Sequence, residues 1–173
     1  MKLMETWVKT PRLKENHLLI ASECLKYINP KLWKDLKKGK TVLTYCPENE
    51  TVTSYGKIAS MIRSSSPKSI TVVTIDGSPH CFLLHAAINE AEYILGEKIN
   101  REHYVLVDGK DLVKIDPNVV RLARYLSILN KFANSNKEVL EELERHSLEY
   151  QRAKKLNSKV HQLKKEEDLN ASS

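Results

Sequence analysis

Cysteine, glycine and long apolar runs are all scarce in this chain of 173 residues. Its three cysteines, Cys24, Cys46 and Cys81, lie far apart. An odd count without local pairs or a secretion signal argues against a disulfide framework and for reduced thiols. No apolar run approaches the roughly 18 residues of a membrane-spanning helix. The opening MKLMETWVKTPRLKENH also lacks the apolar heart of a signal peptide. The expectation is a cytoplasmic protein with no membrane attachment. With one glycine, DGSPH is no G-x-G-x-x-G dinucleotide loop, and no Walker-type lysine follows it. Neither G-x-S-x-G nor H-E-x-x-H occurs, which removes the signatures of common hydrolases.

What is present is lopsided. The net charge is +6; residues 1–40 hold ten Lys and Arg against four Asp and Glu, and the remainder holds eighteen of each. The lysines of KLWKDLKKGK come with no aromatic stacking surface and no nucleic-acid motif, so nucleic acid is not the expected partner. An apolar content of 41% is enough for one core, which predicts one domain with an appendage.

After an irregular lead, HLLIASEC (17–24) is a short apolar run. Asn29-Pro30 opens a helix through PKLWKDLKKG, with proline suited to the first turn and Gly39 to the C-terminal cap. KTVLTYCPE (40–48) reads as a strand stopped by Pro47. TVTSYGKIASMIRSSSPK reads as a helix with Tyr55, Ile58, Ala59 and Ile62 on one face. SITVVTID (69–76) is rich in β-branched residues and nearly continuous in apolar character, the pattern of a central strand covered on both faces. CFLLHAAINEAEYILGEKI is the next helix, with Leu84, Ala87, Ile88, Ala91 and Leu95 as its buried stripe. HYVLVDG (103–109) is a fourth strand, with Asp108-Gly109 as the tip of a hairpin into DLVKI.

Strands alternating with helices predict an α/β fold of three layers: a mainly parallel sheet of about four strands with helices on its faces. The expected domain spans residues 1–115. From Asp116-Pro117 onward the composition turns helical and charged, giving a C-terminal helical extension over 116–173 with a disordered Ser-rich end. It reads as a capped helix, DPNVVRLARYLSILNKF, and then one long charged helix with Leu143, Tyr150, Ala153, Val160 and Leu163 along a thin seam. That seam suits either a solvated helix or a contact with a redox partner or a second copy of the chain.

In sheets of this kind ligands bind outside the carboxyl ends of the strands. Cys24 closes the first strand, Cys46 the second, and Cys81 follows the third at the start of its helix, so all three thiols fall on that edge. With His80 beside Cys81 they make a set of three thiols and one imidazole suited to zinc or an iron–sulfur cluster. Local C-x-x-C pairs are absent, and a lone cysteine is commonly a small buried hydrophobe. Cys81 has a separate reading as a catalytic nucleophile or sulfur carrier, because a thiol in a first helical turn feels the exposed N–H groups there. His85, four residues on, could face the same way. Asp76 is either a ligand partner or the opener of a turn.

The order LIASEC, KLWKDLKKGKTVLTYCPE, YGKIASMIRSSSPKSITVVTIDGSPHC resembles a domain that follows the two-cluster 4Fe-4S ferredoxin module in anaerobic bacteria and archaea. The likeness spans about residues 17–107. It sets Cys24, Cys46 and Cys81 on family cysteines; His80 stands where the first of a cysteine pair is expected, and Phe82 and Leu83 replace glycines. The C-x-x-C-x-x-C module itself is missing from this sequence. The resemblance implies a redox or metal context and names no substrate. Three functions are therefore expected to compete: a redox-associated accessory protein with a cysteine-based metal, iron–sulfur or thiol site; a sulfur carrier or thiol enzyme acting through Cys81; and a non-catalytic interaction domain.

Overall fold

The computed structural model describes residues 1–50 and 54–158. Five strands form one sheet in the order β2-β1-β3-β4-β5: β1 His17–Ser22, β2 Thr41–Tyr45, β3 Ser69–Ile75, β4 Arg101–Val107 and β5 Asp111–Ile115. β1 pairs in parallel with both β2 and β3, β3 pairs in parallel with β4, and β5 returns antiparallel. The fifth strand is DLVKI itself. Asp108 and Gly109 both have positive φ and Lys110 N–H donates to the Val107 carbonyl, so β4 and β5 meet through a tight hairpin.

β1 is continuously apolar because both of its faces are covered. Leu18 and Ile20 point into a core shared with Leu43, Ile58, Met61, Leu84 and Ile88, whereas Leu19 and Ala21 join Leu25, Val73 and Leu106 on the opposite face. Helices α3 (Ser54–Ser65) and α4 (Pro79–Leu95) cover the first face. Helices α1 (Leu25–Ile28) and α2 (Pro30–Leu36) cover the second, through Leu32, Trp33 and Leu36. These are the three expected layers.

Three local features depart from the reading by sequence. The N-terminal lead is structured: Leu3 and Leu13 are fully buried, and Met1 to Leu3 bond along Thr44, which covers the outer edge of β2. The chain divides into two compact units after Leu126, and α5 (Pro117–Leu122) belongs to the first. It is held there by Asn89 Nδ2, which donates to the Pro117 carbonyl at 3.1 Å. Finally, neither C-terminal helix is continuous. The first is split into α5 and α6 (Leu126–Ser135), and the second into α7 (Lys137–His146) and a helical stretch at 148–158. The second break falls at Ser147, whose backbone is extended and whose Oγ accepts the Tyr150 N–H, making it the cap of the next helix. No residue of α6 or α7 is buried, and Val160 and Leu163 of the expected seam lie outside the described residues.

Because Ile20 is a wholly enclosed residue of the central strand, Ile20→Ala should lower stability by about 2–5 kcal/mol. Val113→Ala, on the half-exposed edge strand β5, should change it by no more than about 0.5 kcal/mol. Urea denaturation of the two variants checks the contrast.

Candidate functional site

β1 lies between β2 and β3. The chain leaves β1 toward α1 on one face and leaves β3 toward α4 on the other. The two connections diverge, and the carboxyl ends of β1 and β3, where they part, are the usual position of a binding crevice in such sheets. Cys24 stands two residues past β1 at the start of α1, Cys46 directly follows β2, and Cys81 lies in the first turn of α4. All three sequence-expected cysteines therefore reach the same edge of the sheet.

They differ in exposure and partners. Cys24 is exposed, Cys46 half-buried and Cys81 buried. Cys81 Sγ lies 3.1 Å from Ser22 Oγ, a hydroxyl that is itself buried at the end of β1. The Cys46 N–H donates to Glu50 Oε1 at 3.2 Å, while Glu50 Oε2 is buried without a hydrogen-bond partner among the described residues. His80 is exposed on the outer side of the first turn of α4. Asp76 is exposed at the end of β3 and opens a turn through Gly77, whose φ is positive.

The electrostatics of this edge oppose thiolate formation at Cys24. Partial burial pushes its pKa up, as would a thiolate charge on Cys46 or Cys81, and so do the carboxylates of Glu23 and Glu48. Cys24 is thus a protonated thiol at neutral pH, accessible but not activated by its own surroundings. Among the described residues no three His, Cys, Asp or Glu side chains are placed to hold a metal ion, so zinc or an iron–sulfur cluster finds no ready-made cage. Nor does any helix among them have the length and apolar character to cross a membrane.

A second polar constellation escaped the reading by sequence. On α4, Cys81, His85, Asn89 and Glu92 recur at spacings of four, four and three, so they share one face of the helix. That stripe faces the sheet. His85 Nε2 lies 2.8 Å from Thr74 Oγ1, and His85 Nδ1 lies 2.8 Å from His103 Nδ1 on β4. Arg101 Nε donates to His103 Nε2 at 3.2 Å and to Asn89 Oδ1 at 3.0 Å. Its guanidinium also pairs with Glu92, which receives Arg121 of α5 at 3.1 Å and the Ile99 N–H at 3.1 Å. Burial works against the Glu92 carboxylate, but the Arg101 and Ile99 hydrogen bonds and the two guanidinium charges prevail and hold its pKa below the usual range. Both imidazoles are buried, and desolvation lowers His85 to about 4 and His103 to about 3. An open cavity of about 680 Å³ lies beside this network, lined by Asn89, Glu92, Tyr93, Lys98, Arg121 and Arg124 among others. The signal in the sequence was the polar stripe running beside the apolar one on α4, which only the fold shows to be turned toward the sheet.

The three thiols should separate by reactivity. With N-ethylmaleimide at neutral pH, peptide mass spectrometry should find Cys24 modified first, Cys46 next, and Cys81 at least tenfold more slowly until the protein is unfolded.

A search of the curated proteins and of the solved structures finds no match to the chain. The family model for the Rossmann-like domain matches residues 10–161, most of the sequence and all five strands. The chain belongs to the Rossmann-like domain family.

Proposed function

We propose that the chain is a redox-associated accessory protein of the cytoplasm whose working site is the thiol edge at the β1/β3 crevice, with Cys24 as its accessible thiol and Cys46 as its neighbour. One observation carries this reading: Cys24 is exposed at the ligand-binding position of the fold, and its thiol is held protonated by partial burial and by the carboxylates of Glu23 and Glu48. A thiol so placed is slow by itself and quickens when a cationic group draws out its thiolate. The reading therefore has Cys24 resting until a partner bearing positive charge docks. In an exchange with a disulfide of that partner, a Cys24–Cys46 disulfide would form as the partner's S–S bond breaks, and the two protons and two electrons given up by the two thiols would leave the partner with two thiols.

Burial behind Ser22 disfavours Cys81 as the sulfur carrier or catalytic nucleophile, since little of its surface is open to a substrate. A metal-loaded form of the edge is the second reading, and the buried Glu50 oxygen that has no partner among the described residues is the observation that favours it. Zinc or iron would be held by Cys24, Cys46 and Glu50 after their loops close. Cys81 and His80 would complete the set only if Ser22 released the thiol. Metal binding of this kind displaces thiol protons. The exposed apolar residues of the C-terminal unit, among them Phe132, Leu143 and Leu148, suit a protein partner or a second copy.

Reaction of Cys24 with cystamine, a cationic disulfide, should outpace reaction with an anionic disulfide by at least tenfold at low salt. Glu23→Gln combined with Glu48→Gln should narrow that ratio and speed reaction with a neutral reagent at pH 8. Equal rates for the two disulfides would remove the thiol reading. Zinc or iron retained stoichiometrically after anaerobic purification would replace it with the metal-loaded one.

A further inference from the structure

The buried imidazole pair has one consistent arrangement of protons. The Arg101 guanidinium can only donate, so His103 Nε2 must be an acceptor and the proton of a neutral His103 sits on Nδ1. That proton points at His85 Nδ1, which must accept it, and the proton of His85 therefore sits on Nε2 and points to Thr74 Oγ1. The chain of donation runs one way, from Arg101 through His103 and His85 to Thr74.

An extra proton has no place in this chain. On His85 Nδ1 it faces the N–H of His103. If His103 shifts its own proton to Nε2 to make room, that N–H faces Arg101 Nε. Wherever the proton enters, the conflict is settled by separating the two imidazoles or by giving up the Arg101–His103 contact. Of the charged groups that face the pair, two oppose the extra proton and one, Glu92, favours it only weakly. They are Arg101 of β4, Arg121 of α5 and Glu92 of α4, and the Glu92 carboxylate is already shared between the two guanidinium groups. β3 offers the hydroxyl of Thr74, and β5 lies alongside with Ile115 opposite His103.

We propose that the His85–His103 pair is an acid-sensitive latch: protonation breaks the one-way chain at Arg101 and loosens α4 and α5 from β4. Arg101 is the pivot because the same side chain binds His103, Asn89 and Glu92, and Glu92 in turn binds Arg121. Losing its position unties three elements together. The sign follows from the two states. In the opened form the imidazoles regain an ordinary pKa near 6.5, whereas in the closed form burial holds them at about 4 and about 3. The latch is fully closed above pH 6.5 and weakens as pH falls from there toward the closed-state values, by up to about tenfold per pH unit for each proton taken up.

Amide hydrogen exchange of the full chain at pH 7.0 and pH 4.5, corrected for intrinsic exchange rates, tests this. Protection of amides in α4, α5 and β4 should fall at least tenfold at the lower pH, with β1 and β2 largely unchanged. The double variant His85→Gln with His103→Gln keeps an acceptor and a donor at each position but does not titrate, so it should show no such fall. Equal acid sensitivity in that variant, or a uniform loss of protection across the sheet, would overturn the latch. If the variant folds poorly, imidazole 15N shifts of the unmodified protein decide. Both buried histidines should stay neutral to about pH 5 and titrate together with the loss of protection; either one titrating near 6.5 with protection intact would overturn the proposal.

Discussion

The parallel pairing of β1 with β2 on one side and β3 on the other is the constraint on which the rest of the structure depends. It requires a crossover on each side of β1, and these crossovers lie on opposite faces of the sheet. α1 and α2 carry the chain from β1 to β2, whereas α3 carries it from β2 past β1 to β3. Because β1 is enclosed by both layers, it must be apolar at successive positions, as Leu18, Leu19, Ile20 and Ala21 are. Because the connections diverge at its carboxyl end, that end is the position where such sheets usually bind ligands. The thiols inherit their common location from strand order alone.

α4 is the second organising element. Its apolar stripe seals one face of the sheet, while its polar stripe meets Ser22, Thr74, His103 and Arg101 in turn. A buried polar group is tolerated when it is hydrogen-bonded, and a buried charge when it is paired. The stripe satisfies both conditions along its length: a hydroxyl for Cys81, a hydroxyl and an imidazole for His85, guanidinium groups for Asn89 and Glu92. A helix fastened in this way has one position against the sheet, which fixes where Cys81 sits at the thiol edge. The thiol edge and the histidine chain are thus two stations along a single helix face.

The sheet and its layers were legible in the sequence because apolar period and turn chemistry agree there. SITVVTI has the continuous β-branched character that burial on two faces demands, and Asp-Gly supplies the positive φ values that a tight hairpin requires. The common edge of Cys24, Cys46 and Cys81 was legible for the same reason, since it needs only the strand ends. The exposure of each thiol was not. It depends on whether a partner such as Ser22, from a distant strand, comes to cover it. The helix break at Ser147 was also hidden, because one hydroxyl that caps a new turn outweighs an otherwise unbroken helical pattern. The buried network was missed because Arg101, His103 and Glu92 are ordinary surface residues until long-range pairing sets them beneath α4 and α5.

The central claim, that the parallel strands gather the three thiols at one edge of the sheet with different degrees of access, is tested most directly by locating their sulfur atoms experimentally. A crystal structure with anomalous sulfur scattering does this. The account predicts all three at the carboxyl edge, with Cys24 Sγ open to solvent and Cys81 Sγ against Ser22 Oγ at about 3.1 Å. A sulfur at the opposite edge, or Cys24 sealed in the core while Cys81 lies open, would contradict it.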